Sequence, residues 1–320
     1  MYGEIKLYAG SGSPELAQKI AEYLGQTLSP REVIQFPNEN IFIKLNSSAR
    51  GQDVYVIQTT SSPVHYNIME LLIMIQTVRL DSAARITAVV PYLAYGRSDK
   101  KDQPRVPITA RLVADMIESA GADRYMTFDP HAGQIQGFFS VPGDVLTASH
   151  MISKYIKENL YKQMVHPVVV ATDLGFAKKG RNYALDMDVP IAFIEKRRLG
   201  NEAKAEALTL IGDMSDRDVI IVDDEVDTGG SIAQAVNVVK KHGARDVYLA
   251  FIHPIFSVNA AEKLADLPIK HIITTDTVPI PAEKMKQLEG RITVLSVASM
   301  LGEVIRRAHE GRSVGEMFNE

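Results

Sequence analysis

The sequence predicts an α/β protein of two tandem domains, each a mostly parallel sheet flanked by helices. Short runs rich in β-branched residues alternate with helical patterns along the whole chain, which is the mark of βαβ units. The runs are nearly continuous in apolar residues, as expected of parallel strands covered on both faces. The chain also echoes itself. DVYVIQTT from 53, a helix, Ala84-Arg85 and a strand ending at Pro91 are matched by DVIIVDDE from 218, a helix, Ala244-Arg245 and a strand ending at Pro254.

The elements follow in order. The opening MYGEIKLYAGSGSPELAQKIAEYL reads as a short strand, a Gly-Ser turn and an amphipathic helix. It lacks the basic start and apolar block of a signal peptide. Strands are predicted at 53–58, 86–92, 167–172, 218–224, 246–254 and 270–276. Between them, 108–121 and 231–243 read as helices, each closed by glycine. We place the domain boundary near Ser149, giving domains 1–149 and 150–320, with a C-terminal helix of 300–320 expected to pack back on the first. The echo differs at the strand ends. Gln58-Thr59-Thr60 stands in the first copy where Asp223-Asp224-Glu225 stands in the second, so the two copies are expected to bind different things.

Bulk properties narrow the function classes. The chain has 320 residues, enough for two cores, with 46% hydrophobic and 23% charged residues. A net charge of -4 argues against broad attraction to nucleic acid or an anionic membrane. The sequence has no cysteine, hence neither a disulfide framework nor a thiolate zinc site. No apolar run approaches the roughly 20 residues of a membrane-spanning helix. The expected location is the cytoplasm.

The stretch VIIVDDEVDTGGS at 219–231 carries the chemistry. Carboxylates at the end of a buried strand are costly to bury and repel each other. The carboxyl end of a parallel strand is also where α/β proteins bind ligands. Gly229 and Gly230 allow the backbone to turn its N–H groups inward, and Ser231 opens a helix whose positive end favours an anion. Such a loop cradles phosphate. Asp223, Asp224 and Asp227 suit sugar hydroxyls or Mg2+. A ligand with vicinal hydroxyls at one end and a phosphate at the other satisfies both, and ribose 5-phosphate has that form. The bland alternative is that the aspartates cap a turn and Thr-Gly-Gly-Ser is a tight connection. No Walker A pattern is present.

This stretch resembles the phosphoribosyl pyrophosphate (PRPP) motif of the phosphoribosyltransferase superfamily. Arg50-Gly51, KDQPRVPITARLVADMI at 101–117, DPHAGQIQGFF at 129–139, EKRR at 195–198 and HPIFSVNAAEKL at 253–264 narrow the resemblance to the ribose-phosphate pyrophosphokinase family, from about Ile5 to Phe318. The resemblance implies two phosphoribosyltransferase-type domains and transfer of the diphosphoryl group of MgATP to the C1 hydroxyl of ribose 5-phosphate. It implies that Asp223, Asp224 and Asp227 serve the ribose and diphosphate, and that Thr228, Gly229, Gly230 and Ser231 hold the 5-phosphate. His131 would lie beside the ATP phosphates and one Mg2+, and Asp173 would hold a second Mg2+. Lys196 and Arg198 match the basic pair opening a mobile catalytic loop, with the small, polar run 199–207 behind them. The alternative for them is a solvated basic patch. Arg97, Ser98, Asp99 and Lys100 would face the triphosphate, and Phe36, Asn38 and Asn40 the adenine. Many such enzymes are hexamers controlled by phosphate and ADP, and Ser48, Arg50, Gln136, Asp144 and Ser313 match parts of the control site.

The chain departs from the family pattern in places. Asn38, Glu39 and Asn40 replace acid, glycine and acid. Ser98 replaces glutamine, and Lys100 replaces arginine. An amide donates and accepts where a carboxylate only accepts, so altered purine selectivity is expected. Phe176 replaces a glycine and is expected to narrow the ribose side. Gln103 and Gly315 replace control-site residues, so weakened control by phosphate and ADP is expected. Competing readings are a base-transferring phosphoribosyltransferase, a non-catalytic regulatory relative, and a diphosphokinase with another donor or acceptor. The last is the runner-up.

Overall fold

In the computed structural model, which describes residues 2–173, 175–198 and 206–318, the chain divides into two compact units. The first comprises Met1–Leu146, Thr277–Pro279 and Ser296–Glu320; the second comprises Thr147–Asp276 and Ile280–Leu295.

The first unit runs β1 (Ile5–Ala9), α1 (Pro14–Leu24), β2 (Arg31–Gln35), β3 (Ile41–Leu45), β4 (Asp53–Ile57), α2 (Val64–Leu80), β5 (Arg85–Val90), α3 (Thr109–Ala120), β6 (Arg124–Phe128) and β7 (Gly143–Leu146). Its sheet is parallel throughout, in the order β1-β4-β5-β6-β7. β4 and β5 are buried at every residue. Leu71, Met74, Ile75 and Val78 of α2 join Val54, Val56, Ile86 and Ala88 in one core. β2 and β3 form a separate antiparallel hairpin.

The second unit runs α4 (Ser149–Asn159), β8 (Val168–Ala171), α5 (Ala177–Met187), β9 (Ile191–Arg198), β10 (Glu206–Ile211), β11 (Val219–Glu225), α6 (Gly230–Lys241), β12 (Val247–His253), α7 (Ala260–Asp266), β13 (His271–Thr275), α8 (Ala282–Gln287) and β14 (Ile292–Leu295). Among the described residues its sheet has the order β10-β9-β8-β11-β12-β13-β14, parallel except for the β9–β10 pair. Gly180 of α5 lets that helix sit close on the sheet: a Cβ there would meet Ala171 Cβ at 3.2 Å.

The last helix, α9 (Ala298–Glu310), belongs to the first unit. A Cβ at Gly302 would come within 2.3 Å of Tyr23 on α1, so glycine there permits the two helices to meet. Its far end is tied to the sheet by a buried polar network. Arg85 binds Asp53 through Nε (2.7 Å) and Nη2 (2.6 Å), and Nη2 also donates to Ala308 O at 3.0 Å. His309 Nδ1 lies 2.8 Å from Asp53 Oδ2, and Tyr55 donates its hydroxyl to the same oxygen at 3.0 Å. Burial and the Asp53 charge push the Tyr55 hydroxyl well above its ordinary range.

The sequence-predicted strands at 53–58, 86–92, 167–172, 218–224, 246–254 and 270–276 are β4, β5, β8, β11, β12 and β13. The internal echo extends further than the sequence shows. Each unit follows strand, helix, hairpin, then four further parallel strands, with β2–β3 and β9–β10 in equivalent places.

Candidate active site

β11 lies between β8 and β12 in the second sheet, and its apolar residues Val219–Val222 are fully buried. The strand carries Asp223 and Asp224 just beyond the end of β8, because Val222 pairs with Ala171. Thr172 Oγ1 donates to Asp223 Oδ2 at 2.8 Å, and the Asp224 N–H donates to Asp223 Oδ1 at 2.9 Å. The Glu225 N–H in turn donates to Asp224 Oδ1 at 2.9 Å. Burial first, and the Asp224 charge second, hold the Asp223 carboxyl well above the usual carboxylate range. The hydrogen bonds from Thr172 and the Asp224 N–H oppose that rise without cancelling it.

The chain then turns through Val226-Asp227-Thr228 into α6. Gly229 is the N-cap at φ 72°, in the left-handed region that glycine tolerates. The helix therefore starts at Gly230, one residue before the predicted Ser231. Asp227 is half-buried and Thr228 and Ser231 are exposed, while Gly229 is buried. The first N–H groups of a helix lack intrahelical partners and favour an anion.

Asp173, after β8, accepts the Phe176 N–H on Oδ1 at 2.8 Å. This bond fixes the turn into α5. Phe176 is 6% exposed, with Lys179 Nζ 5.9 Å from its ring centroid. Its ring is thus nearly inaccessible to solvent. No cluster of three or more metal-ligating side chains occurs among the described residues. Mg2+ is commonly held by one or two carboxylates together with substrate phosphates, and the hard oxygen donors of Asp173, Asp223, Asp224 and Asp227 fit that chemistry. A histidine nitrogen such as that of His131 suits it less well.

Lys196 and Arg198 lie on β9 by backbone, paired with Leu208 and Glu206 of β10. Their side chains, and residues 199–205, fall outside what is described. β10 begins at Glu206, so the last two residues of the predicted mobile run are strand.

In the first unit, the loop after β5 and the loop after β6 come together. Asp99 is buried and accepts a hydrogen bond from Gln134. A Cβ at Gly96 would lie 3.3 Å from His131 Cβ, so Gly96 admits that histidine. Arg97, Lys100 and His131 are exposed. Ser98 serves α3: the Ala110 N–H donates to Ser98 O at 3.1 Å, and the Ser98 and Thr109 hydroxyls are 3.3 Å apart. Thr60 positions the loop from below, donating to Tyr92 O at 2.8 Å and accepting the Ala94 N–H at 2.7 Å.

Phe36, Asn38 and Asn40 form the tip of the β2–β3 hairpin. The Phe36 N–H donates to Asn40 O at 2.8 Å, and the Asn40 N–H to Asn38 Oδ1 at 3.2 Å. Phe36 is 45% exposed, its ring centroid 6.3 Å from that of Phe42. Glu39 sits at φ 67°, where glycine is the unstrained choice.

The expected control residues are spread over the first unit. Ser48 donates to Asp81 at 3.2 Å and lines a cavity of about 700 Å³ with Lys44, Asn46, Thr77 and Asp81. Asp144 pairs with Arg124 at 2.9 Å. Arg50, Gln136 and Ser313 are exposed, and Ser313 O accepts from Arg307 at 2.8 Å.

Comparison with known proteins decides the family. The N-terminal domain of ribose phosphate pyrophosphokinase matches residues 5–121, and the phosphoribosyl synthetase-associated domain matches residues 199–319. A ribose-phosphate pyrophosphokinase from Caldanaerobacter subterraneus subsp. tengcongensis is 43% identical over 314 residues, covering 98% of this chain and 98% of that protein. The chain belongs to the ribose-phosphate pyrophosphokinase family. Another member, from Aquifex aeolicus, is 41% identical over 98% of this chain and 99% of its own length. The crystal structure of phosphoribosylpyrophosphate synthetase from Mycobacterium smegmatis superposes with a TM-score of 0.90 at 38% identity, over 96% of this chain and 99% of that one.

Within this ribose-phosphate pyrophosphokinase architecture, some supporting residues escaped the sequence reading. Gln134 stands three residues after His131 in a quoted motif, yet its contact to Asp99 spans 35 positions. Thr60 lies in the QTT segment read only as the unlike copy of Asp223-Asp224-Glu225. Thr172 was read only as the end of the strand at 167–172.

Proposed function

We propose that this chain transfers the β,γ-diphosphoryl group of MgATP to the C1 hydroxyl of ribose 5-phosphate, giving PRPP and AMP. The observation that carries the reading is the end of β11, where the Asp223–Asp224 pair is followed, after a turn through Val226–Thr228, by a left-handed glycine and the start of α6. Asp223, Asp224 and Asp227 accept hydrogen bonds from the ribose hydroxyls, and the backbone of Thr228–Ser231 receives the 5-phosphate. Thr172 orients Asp223 for this task. Arg97, Lys100 and His131 face the triphosphate in the first unit, on loops locked by Asp99–Gln134 and Thr60. The exposed Phe36 ring offers a face for the purine. Lys196 and Arg198 stabilise charge developing on the transferring group. Asp173 would hold Mg2+ on the ribose side and His131 would lie beside a Mg2+ at the ATP phosphates, and a bound ion would supply charge that lowers the repulsion between the phosphates and the incoming oxygen.

The same reading makes the protein a cytoplasmic homo-oligomer, hexameric by resemblance. Among the described residues no helix is long and apolar enough to cross a membrane. Phosphate and ADP act through the surface that includes Ser48, Arg50, Gln136, Asp144 and Ser313, weakly because Gln103 and Gly315 stand in it. Near-normal ADP inhibition at saturating substrate would contradict that weakness.

A second reading keeps the chemistry and changes the donor. The hairpin tip favours it, since Asn38 is engaged within its own turn and Glu39 occupies a left-handed position. A panel of nucleoside triphosphates separates the readings, strict ATP preference removing the second. The main proposal is tested by Asp224→Ala and Lys196→Ala. Each is expected to lower PRPP formation by about 100-fold or more, whereas activity within tenfold of the parent in both would contradict it.

A further inference from the structure

Consecutive carbonyls ahead of α6 all face one neighbouring segment. Val226 O accepts the Phe256 N–H at 2.9 Å, Asp227 O accepts the Ser257 N–H at 2.9 Å, and Thr228 O accepts Lys263 Nζ at 2.9 Å. These peptide bonds are trans. A planar trans peptide directs the next residue's N–H opposite to the carbonyl. The N–H groups of Asp227, Thr228 and Gly229 therefore point away from the 256–263 segment. Gly229 then enters α6, whose leading N–H groups continue the series. Successive N–H groups turned to one side form an anion-binding nest.

The backing segment is itself braced. Phe256 is fully buried, edge-on to Phe251 with centroids 5.8 Å apart, and its carbonyl accepts Lys284 Nζ at 2.5 Å. Phe256 and Val258 sit at φ 47° and 51°. Left-handed backbone in such residues persists only where the surroundings over-determine it. Lys263 reaches the loop from α7, its Cδ 3.7 Å from where a Gly229 Cβ would stand.

We propose that Lys263 is a positioning residue for the phosphate loop. Its ammonium holds the Thr228 carbonyl on the far side of the peptide plane, so that the N–H edge meets the 5-phosphate, and its charge adds positive potential behind that edge. The loop keeps its anion-receiving form before ligand arrives, and binding requires no flip of these peptides. This rests on reading the loop as the ribose 5-phosphate site.

The test uses the full-length protein with Lys263→Met, which removes donor and charge at similar length, and Lys263→Arg, which keeps both. Calorimetric titration with ribose 5-phosphate and steady-state kinetics are the readouts. Lys263→Met is expected to raise the Kd and KM for ribose 5-phosphate about tenfold, with the KM for ATP and kcat within twofold. Lys263→Arg is expected to stay within threefold of the parent throughout. If Lys263→Met fails to fold, Lys263→Gln, which keeps a donor without the charge, carries the same expectation at smaller size. A parent protein that binds ribose 5-phosphate while Lys263→Met binds it equally well overturns the inference alone. A parent that does not bind ribose 5-phosphate overturns the reading of the loop and the inference with it. A uniform loss in kcat and both KM values, unrelieved in Lys263→Arg, would show a merely structural lysine.

Discussion

Asp223 is a residue whose local physics opposes stability and serves binding. Burial and the Asp224 charge raise its carboxyl well above the usual range. The folded chain thus holds that proton more tightly than the unfolded chain. The associated stabilisation is complete below the ordinary carboxylate range and is lost as pH rises through the elevated range. Asp223→Asn removes the loss. Urea unfolding should show the variant more stable than the parent near neutrality, by about 1 kcal/mol, and equal to it near about pH 4. Equal stability at both values would contradict the buried-charge account. Ribose hydroxyls donating to the pair favour its charged form, so the KM for ribose 5-phosphate should rise as pH falls through the same range. A flat profile would count against Asp223 as a ligand. At this scale the sequence was informative where chemistry is local. The acids, the glycine pair and the helix start lie within nine consecutive positions. The contacts of Thr172, Gln134 and Lys263 were not legible, because each reaches a residue 35 or more positions away.

At the scale of elements, α9 is held by the Asp53–Arg85 pair, whose side chains are nearly inaccessible. Breaking a buried pair leaves an uncompensated charge and costs about 3–5 kcal/mol. Arg85→Met should lower unfolding stability by that amount. Arg111→Ala, which removes an exposed pair with Asp115 on α3, should change it by about 0.5 kcal/mol or less. Similar small changes in both would refute the clamp. The β2–β3 hairpin makes a smaller prediction. Glu39→Gly relieves a left-handed residue and should stabilise by about 0.5–1 kcal/mol, and a lower melting temperature would contradict it. The central strands were legible because they are continuous apolar runs. β2, β3, β6, β7, β10 and β14 were not, being short or interrupted by polar residues, so that no continuous apolar run marks them.

At the scale of the whole molecule, the two units share one plan and differ at corresponding places. The first ends β4 in buried Gln58-Thr59-Thr60, which is spent on holding its own loops. The second ends β11 in acids. The hairpins diverge likewise: β2–β3 stands apart with Phe36 at its tip, whereas β9 joins the main sheet and carries the backbone of Lys196 and Arg198. The sequence showed the duplication only over β4–β5 and β11–β12, because the rest is preserved as topology and not as residues. The measurement that tests the account most directly is chromatographic analysis of the nucleotide and sugar products formed from ATP, Mg2+ and ribose 5-phosphate. AMP and PRPP should appear in equal amounts, and both should be abolished in Asp224→Ala. ADP with a singly phosphorylated sugar product would contradict it.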